Sequence, residues 1–295
     1  MYQLTLPAGK GQFKQATSFA LCGLSNFNLQ QIADSGQCFR MKKITTTDTG
    51  KVHYQIVAYD TVALVCQLSE ENIEICCEPD KLDMWLSYFD ISQYDRSVIV
   101  YSELSQMIQG CDDAVLKEAF NGASGIRILN QELLETGISF ITSANNNIPR
   151  ITKLIETLCD KYGKLVENDI TAFHTFPDKF TLLNLTEEDW RNMGFGFRAP
   201  YLVDFVKWYS TLPIDYVPTK KDLVSIKGVG EKIAACIQLF SLHNLEVVPM
   251  DTWMKKVKQS LYKDEEFPWQ KYRGVCQQYI YYYYRTVKEE SQWRM

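Results

Sequence analysis

The period of the hydrophobic pattern changes near Asp80, and this change most constrains how the chain can fold. Before it, β-rich runs such as CFRMKKI, VHYQIVAYD, TVALVCQL and NIEICCE are separated by turn signals, which predicts antiparallel strands. After it, apolar residues recur at helical spacing. We therefore predict an α+β fold, with an N-terminal antiparallel β-sheet domain over residues 1–120 and an all-helical region over residues 121–295.

Three helices of the second region have clear boundary signals. One runs from Ile148, with Pro149 in its first turn, to a stop at Gly163. Another follows the stretch GFGFRAP. The third begins at Thr219, where the sequence TKKD resembles a capping box, and runs to about Ile226.

Composition excludes several classes of protein. The 295 residues are 46% hydrophobic and 23% charged, as in ordinary globular chains, and the longest apolar runs are too short for a membrane span. The N-terminus lacks the pattern of a signal or transit peptide. We expect a monomer without membrane association, located in the cytoplasm, with the nucleoid or the nucleus as the alternatives.

Metal and cofactor chemistry have little support in the sequence. The nine cysteines show no metal-ligand spacing and the three histidines are widely separated, so we expect no cofactor and no metal held by side chains. The net charge of −5 argues against a polyanionic partner, but a local basic face can still bind phosphate. A small-molecule enzyme therefore remains open at this point.

Gly228 and Gly230 lie between two short amphipathic helices in the stretch SIKGVGEKIAACIQLF. A tight turn there points backbone N–H groups outward at a helix N-terminus, which is an arrangement that binds phosphate. This predicts a helix-hairpin-helix, over about residues 219–242, that contacts a DNA backbone.

Lys232 follows these glycines in the first turn of the second helix, where the helix dipole disfavours a cation. A solvated lysine is the simplest interpretation. However, the dipole and burial both favour the neutral amine, which is a nucleophile. Cys236 lies on the same helical face as Lys232. Asp251 follows Lys232 by nineteen residues and is a candidate N-cap that can present its second oxygen to a reaction.

These residues resemble a known family of DNA repair enzymes. LVSIKGVGEKIAACI followed by VVPMDTWMKKV resembles the HhH-GPD signature of base-excision DNA glycosylases. SGQCFRM, SFITSANNNIPRITKLIETLCDKYG and GFGFRAPYL resemble the eukaryotic-type 8-oxoguanine DNA glycosylase. The resemblance covers nearly the whole chain in the right order and implies a TBP-like sheet domain before the helical glycosylase region.

The resemblance implies a bifunctional glycosylase and abasic-site lyase whose partner is duplex DNA containing 8-oxoguanine. Lys232 would attack C1′ of the flipped nucleotide and form a Schiff base, while Asp251 would stabilise the cationic sugar. The Gly36 carbonyl would accept N7–H of the oxidised base. Cys236 and Tyr281, which is usually Phe in the family, would cover its two faces, and Gln277 would bond its edge.

The resemblance also implies contacts outside the lesion pocket. Asn145, Arg150 and Arg198 would fill the gap and read the orphaned cytosine, and Phe197, where animal enzymes carry Tyr, would wedge the duplex. Asn147 is better interpreted as a helix cap. Trp253 stands where animal members have a histidine near the 5′ phosphate. By family analogy, the carbonyls of Val224, Ile226 and Val229 would hold a monovalent ion.

Two alternatives remain beside the small-molecule enzyme. A glycosylase for other oxidised or alkylated bases would keep the fold, although Lys232 argues against a monofunctional alkylbase enzyme. A non-catalytic helix-hairpin-helix protein would bind DNA but gives no reason for Lys232 and Asp251 to occur together with Gly36, Cys236 and Gln277.

Overall fold

The computed structural model describes residues 3–5, 16–45, 52–91, 97–167 and 170–288. Its strands in the first third of the chain are β1 (Gln3–Thr5), β2 (Thr17–Cys22), β3 (Met41–Thr45), β4 (Val52–Ala58), β5 (Thr61–Ser69) and β6 (Asn72–Cys77). They form one antiparallel six-stranded sheet in the order β1-β2-β6-β5-β4-β3. Helices make up most of the chain that follows, so the predicted α+β class is confirmed. The strands β1 and β2 were not among the predicted strands.

The helices begin after β2 and dominate the chain beyond β6. Their bounds are α1 (Leu29–Asp34), α2 (Leu82–Tyr88), α3 (Ser97–Gly110), α4 (Ala114–Ala123), α5 (Leu133–Thr142), α6 (Ile148–Tyr162), α7 (Lys179–Leu183), α8 (Glu187–Asn192), α9 (Ala199–Ser210), α10 (Lys220–Val224), α11 (Glu231–Phe240), α12 (Thr252–Leu261) and α13 (Arg273–Tyr282), which a π-helix (Tyr283–Val287) extends.

Side chains from alternate positions of the sheet build its core. Phe19 and Leu21 of β2 pair with Ile75 and Ile73 of β6, and all four are buried. Because successive side chains point to opposite faces of a strand, these residues share one face. The helices α1 and α2 contribute to the same core, with Trp85 of α2 fully buried.

The helix α5 organises the second, larger core. Every residue from Leu134 to Thr142 is buried, and α5 packs against both α9 and α11. A helix that is buried on all sides belongs in the middle of a helical domain. Its C-terminal end, capped at Ser143, therefore lies beside the N-terminal end of α11, where Lys232 is found.

The expectation of an all-helical second region is wrong in one place. The strands β7 (Leu165–Glu167) and β8 (Ala172–His174) form an antiparallel pair within it. Each has only three residues, too few to show the alternation that identifies a strand in a sequence. Burial of Phe173 against Val57 and Val62 explains why this pair packs on the main sheet.

Two hydrophobic cores account for most buried residues of the described chain. The sheet core ends at Ile91, apart from Leu129, and the helical core begins at Val100, apart from Phe39. Helices α3 and α4 therefore pack with the helical core, although α3 precedes residue 120 and α4 spans it. The division of the chain at that residue stays a prediction. None of the described helices has the length and apolar character needed to cross a membrane.

Candidate active site

A cavity of about 980 Å³ opens between five segments of the chain. They are the end of α1 with the turn after it, the loop between α5 and α6, the helix α11, the start of α12 and the end of α13. Several of the predicted site residues line it together: Gly36, Asn145, Gly230, Lys232, Cys236, Asp251, Trp253, Gln277 and Tyr281. A cavity of this size accommodates a small organic molecule such as a nucleobase with its sugar.

Lys232 is the second residue of α11 and is half-buried in the cavity wall. Its Nζ donates a hydrogen bond of 3.0 Å to Oγ of Ser143, and it lies 5.2 Å from the centroid of the Phe140 ring. No ion pair with a carboxylate holds this amine within the described residues. The amine is thus anchored by a neutral hydroxyl and an aromatic face, which leaves it able to move onto an electrophile.

Asp251 caps α12, as predicted, and faces the same cavity. Its Oδ1 accepts a hydrogen bond of 2.8 Å from the Met254 N–H. Burial raises the pKa of the Asp251 carboxyl, against the opposing effects of that backbone bond and of the Lys232 charge. The Lys232 charge therefore acts on this carboxyl, although no salt bridge joins the two in the described structure.

Cys236 lies one helical turn after Lys232 and is almost fully buried. Burial raises the pKa of its thiol to about 11, while the nearby Lys232 charge opposes the shift. The thiol is therefore neutral at physiological pH. A neutral, polarisable sulfur at the cavity wall can pack against a flat ring, as the sequence interpretation requires.

Tyr281 and Gln277 lie one turn apart on α13, and both face the cavity. Gln277 is 2% exposed, and its Oε1 accepts a hydrogen bond of 2.9 Å from Nε2 of Gln278. The hydroxyl of Tyr281 accepts a hydrogen bond of 3.1 Å from Nη1 of Arg285. An aromatic ring and a carboxamide thus line one side of the cavity.

Gly36 follows α1 with a φ of +75°, a backbone conformation that other residues adopt at a cost. A Cβ at this position would stand 3.3 Å from Cδ1 of Ile148 and 3.6 Å from Cε1 of Tyr281. The side-chain amide of the next residue, Gln37, holds this turn through hydrogen bonds to the segment around Arg127. Its amide donates to the Arg127 carbonyl at 2.9 Å and accepts from the Leu129 N–H at 2.8 Å.

The residues assigned to the opposite base lie outside this pocket, apart from Asn145. Asn145 is exposed with a φ of +48°, and Arg150 is exposed in the first turn of α6. The Phe197 side chain is 52% exposed, as suits a wedge. The neighbouring Asn147 caps α6 by accepting the Arg150 N–H, which confirms the simpler interpretation of that residue.

Arg198 is buried, in contrast to the exposed position expected of a base-reading side chain. Its guanidinium donates to the carbonyls of Ala144, Asn145 and Phe195, and its Cζ lies 4.4 Å from the centroid of the Phe197 ring. In this structure it supports the Asn145 loop and Phe197 from beneath. Its contact with cytosine stays a prediction.

The hairpin has the predicted capping box, since Thr219 and Asp222 cap each other's backbone at the start of α10. Gly228 has a φ of +88°, and a Cβ there would clash with Tyr201, whereas Gly230 has a negative φ and open space around it. Only Gly228 is therefore required by the turn, which corrects the expectation that both glycines are.

Other predicted contacts of this region stay predictions. Val224 is at the surface while Ile226 and Val229 are buried, and their carbonyls remain candidates for a monovalent ion. Among the described residues, no group of three His, Cys, Asp or Glu side chains lies close enough to hold a metal ion. Trp253 lines the cavity, and the Lys256 ammonium lies 4.6 Å from its ring centroid.

Two residues with polar contacts in the cavity, Ser143 and Arg285, were not among the predicted site residues. Ser143 binds Lys232 from 89 positions away, and no local pattern links them. Arg285 stands four residues after Tyr281, a spacing that places both on one helical face and could have identified it.

Comparison with known proteins places this arrangement in a family. Residues 20–136 match the family model described as 8-oxoguanine DNA glycosylase, N-terminal domain. The structure is similar to that of the Clostridium acetobutylicum 8-oxoguanine glycosylase/lyase in complex with double-stranded DNA containing cytosine opposite 8-oxoG. The TM-score is 0.77, the identity is 32%, and the match covers 97% of each chain.

Curated relatives agree with this similarity over part of their length. The N-glycosylase/DNA lyase OGG1 of Arabidopsis thaliana is 31% identical over 234 aligned residues, and the match covers 74% of this chain and 61% of that protein. The N-glycosylase/DNA lyase of Saccharomyces cerevisiae is 36% identical over 159 aligned residues, and the match covers 47% of this chain and 42% of that protein. The chain thus spans less than two thirds of either relative. Together with the structural match over almost its entire length, these findings show that the chain belongs to the 8-oxoguanine DNA glycosylase family of the HhH-GPD superfamily.

Proposed function

We propose that this protein is a bifunctional repair enzyme that removes 8-oxoguanine paired with cytosine in duplex DNA and then nicks the resulting abasic site. One observation carries the proposal. The amine of Lys232 shares one cavity with Asp251, Gly36, Cys236, Gln277 and Tyr281. The names of the relatives, which are glycosylases and DNA lyases, support the same reaction.

The proposed chemistry begins with a nucleotide flipped into the cavity, since C1′ cannot be reached within the base stack. Nζ of Lys232 forms a bond to C1′ as the bond between C1′ and N9 breaks, and the base leaves with the bonding electrons. The carboxylate of Asp251 stabilises the positive charge that develops on the sugar. Opening of the sugar ring gives the Schiff base, and loss of a C2′ proton then expels the 3′ phosphate.

Recognition of the base is proposed to rest on Gly36 and the two walls of the pocket. The Gly36 carbonyl accepts N7–H, which oxidised guanine has and guanine lacks. Leaving that carbonyl opposite the bare N7 of guanine costs roughly 1–3 kcal/mol. The neutral thiol of Cys236 and the Tyr281 ring cover the two faces, and Gln277 bonds the edge.

Contacts with the remaining DNA are proposed for Asn145, Arg150 and Phe197, which are exposed near the cavity, and for the hairpin at Gly228 and Gly230. The Arg198 guanidinium can bond the orphaned cytosine only after it releases its hydrogen bonds to the carbonyls of Ala144 and Asn145. Cytosine recognition would therefore accompany a rearrangement of this loop. The monomeric state and the cytoplasmic or nucleoid location remain predictions.

Borohydride trapping tests the proposal. The protein is incubated with a duplex that contains one 8-oxoguanine opposite cytosine, and borohydride reduces any imine to a stable covalent adduct. We expect base release and an adduct with the wild type. Lys232→Gln should lose the adduct and still bind the duplex, because its fold and cavity remain.

Lys43→Gln serves as the matched control, since Lys43 is exposed on β3 and does not line the cavity. It should trap as well as the wild type. A wild type that releases no base and forms no adduct would contradict the proposal. An adduct that persists in Lys232→Gln would mean that another amine is the nucleophile.

A further inference from the structure

Arg285 lies in the wall of the lesion pocket, and none of the roles assigned above uses it. It sits on the π-helix that extends α13, is half-buried, and lines the cavity. Its Cζ lies 4.7 Å from the centroid of the Tyr281 ring, and its Nη1 donates to the Tyr281 hydroxyl at 3.1 Å. Its Nη2 donates to the Asp34 carbonyl at the end of α1. Two bonds to two different elements thus hold the guanidinium in place.

The guanidinium lies beside the turn that carries Gly36. Its Nη1 is 3.7 Å from the position that a Cβ on Gly36 would occupy, and Asp34 precedes Gly36 by only two residues. A larger residue at position 36 would fill the space between this nitrogen, Tyr281 and Ile148. The pocket therefore places the backbone of Gly36 and a fixed cation next to each other.

The guanidinium still has donors available for a ligand. A guanidinium carries five N–H groups, and the hydrogen bonds of Arg285 within the described residues use two of them. A planar group whose orientation is already fixed loses little conformational freedom when it binds another acceptor. Arg285 is thus suited to bond an acceptor atom on a ligand in this pocket.

Oxidised guanine presents a matching pair of atoms. It differs from guanine at two adjacent positions of the five-membered ring, where N7 carries a hydrogen and C8 carries a carbonyl oxygen. Recognition of both requires an acceptor beside a donor. Building on the function proposed above, we propose that Arg285 is a specificity-determining residue that donates a hydrogen bond to the C8 oxygen, beside the Gly36 carbonyl that accepts N7–H.

The consequence is discrimination at two atoms of the lesion. Normal guanine would place C8–H against the Arg285 donor and the N7 lone pair against the Gly36 carbonyl, so neither group would be satisfied. A hydrogen bond from a charged donor that is lost in this way lowers the rate of base release roughly 10- to 100-fold.

Arg285→Met tests this role, because it keeps much of the side-chain volume and removes every donor. We expect single-turnover release of 8-oxoguanine to fall roughly 10- to 100-fold. Cleavage of a duplex with a preformed abasic site should stay close to wild type, since that substrate has no base to recognise. An equal loss on both substrates would indicate a phosphate contact or a disturbed fold and would overturn the inference.

Lys271→Met is the matched control for loss of a cation. Lys271 is paired with Glu103 and does not line the cavity, so both reactions should remain at the wild-type level. Tyr281→Phe removes the hydroxyl that Arg285 binds but keeps the ring. If Arg285 acts only by holding Tyr281, this variant will match Arg285→Met and the double variant will be no worse, which would also overturn the inference.

A substrate with 8-thioguanine tests the atom itself. This base keeps N7–H and replaces the C8 oxygen with sulfur, a weaker acceptor. The wild type should release 8-oxoguanine faster than 8-thioguanine, and Arg285→Met should lose much of that preference. An unchanged preference would contradict a bond to the C8 oxygen.

Failure of this inference is distinguishable from failure of the proposed function. If the wild type releases no 8-oxoguanine, the proposed function falls. If the wild type releases it and Arg285→Met is equally active, the function stands and only the role of Arg285 falls.

Discussion

Lys232 occupies a position where the α11 dipole disfavours a cation, and its amine is bound by the Ser143 hydroxyl rather than by a carboxylate. Asp251 is a carboxyl in a buried setting whose pKa is raised mainly by that burial. The Asp251 carboxylate thus carries an electrostatic cost in the resting protein. Such costs are common at catalytic sites, where groups are placed for the transition state rather than for stability.

Asp251→Asn should separate the effect of the Asp251 charge on stability from its effect on the reaction. The pKa of Asp251 is higher in the folded than in the unfolded chain. The free energy of unfolding therefore falls as pH rises from the unfolded pKa through the folded pKa and the buried carboxyl loses its proton. Asparagine still caps a helix and carries no charge. We expect a higher melting temperature than wild type at neutral pH, together with 8-oxoguanine release slower by roughly 100- to 1,000-fold.

Melting curves and single-turnover rates measure the two effects. Asp251→Ala is the control, because it also removes the side-chain oxygen that accepts the Met254 N–H and caps α12. It should therefore melt at a lower temperature than the asparagine variant. A melting temperature of Asp251→Asn below wild type at neutral pH would show that the charge stabilises the fold. Activity equal to wild type would remove Asp251 from the reaction.

At the scale of single elements, the hairpin between α10 and α11 shows which features of a motif are structural. Thr219 and Asp222 form the capping box that the sequence predicts. Position 228 requires glycine because its φ is positive and because a Cβ there would clash with the Tyr201 ring, whereas neither constraint applies at position 230. The same two-glycine pattern therefore contains one residue needed for folding and one whose position is open to the approach of a ligand.

The substitutions Gly228→Ala and Gly230→Ala should differ strongly in stability. At Gly228 a left-handed backbone and overpacking against Tyr201 add to roughly 2–5 kcal/mol of destabilisation. At Gly230 the methyl group meets open space, and the change should stay below about 1 kcal/mol. Chemical denaturation of both variants measures the free energy of unfolding. Equal losses at the two positions would contradict this account of the turn.

At the scale of the whole molecule, the sheet and the helical core meet at a buried cluster of charges. Arg40 from the sheet side approaches Glu135 of α5, with 3.7 Å between Nη1 and Oε2, and both side chains are at most 10% exposed. Glu132, just before α5, lies close enough for both of these charges and for Asp60 to act on it. Burial, and then the charge of Glu135, raises the pKa of Glu132 to about 7.

Glu132→Gln should therefore change the pH dependence of stability. The folded protein retains a proton on Glu132 between the ordinary pKa of 4.5 and about 7, so wild-type stability falls as pH rises through this window. The variant avoids that loss. We expect equal stability below about pH 4 and an advantage of at most about 3 kcal/mol for the variant above pH 7.

Denaturation at several pH values measures this difference. Glu167→Gln, at an exposed position of β7, is the control and should follow the wild type at every pH. A variant that loses stability at neutral pH would show that the Glu132 charge is stabilised by Arg40 more than it is penalised by burial.

Much of the architecture could be predicted because its signals are local. The change of hydrophobic period predicts the α+β class, and capping residues predict where α6, α10 and α12 begin, since both signals act within a few residues. The β7–β8 pair was missed because three-residue strands have no measurable period. Lys232 and Asp251 were identifiable as candidates from their places on helix ends.

The sequence by itself determined the elements, their caps and the pairing of a helix-start lysine with a helix-cap aspartate. Only the tertiary structure decided that five separate segments enclose one cavity, that Ser143 binds Lys232, and that Arg198 is buried beneath its loop while Arg285 faces the pocket. The physical reason is that caps and periodicity depend on neighbours along the chain. Burial, and with it the electrostatics of Cys236 and Asp251, depends on what packs there from elsewhere in the chain.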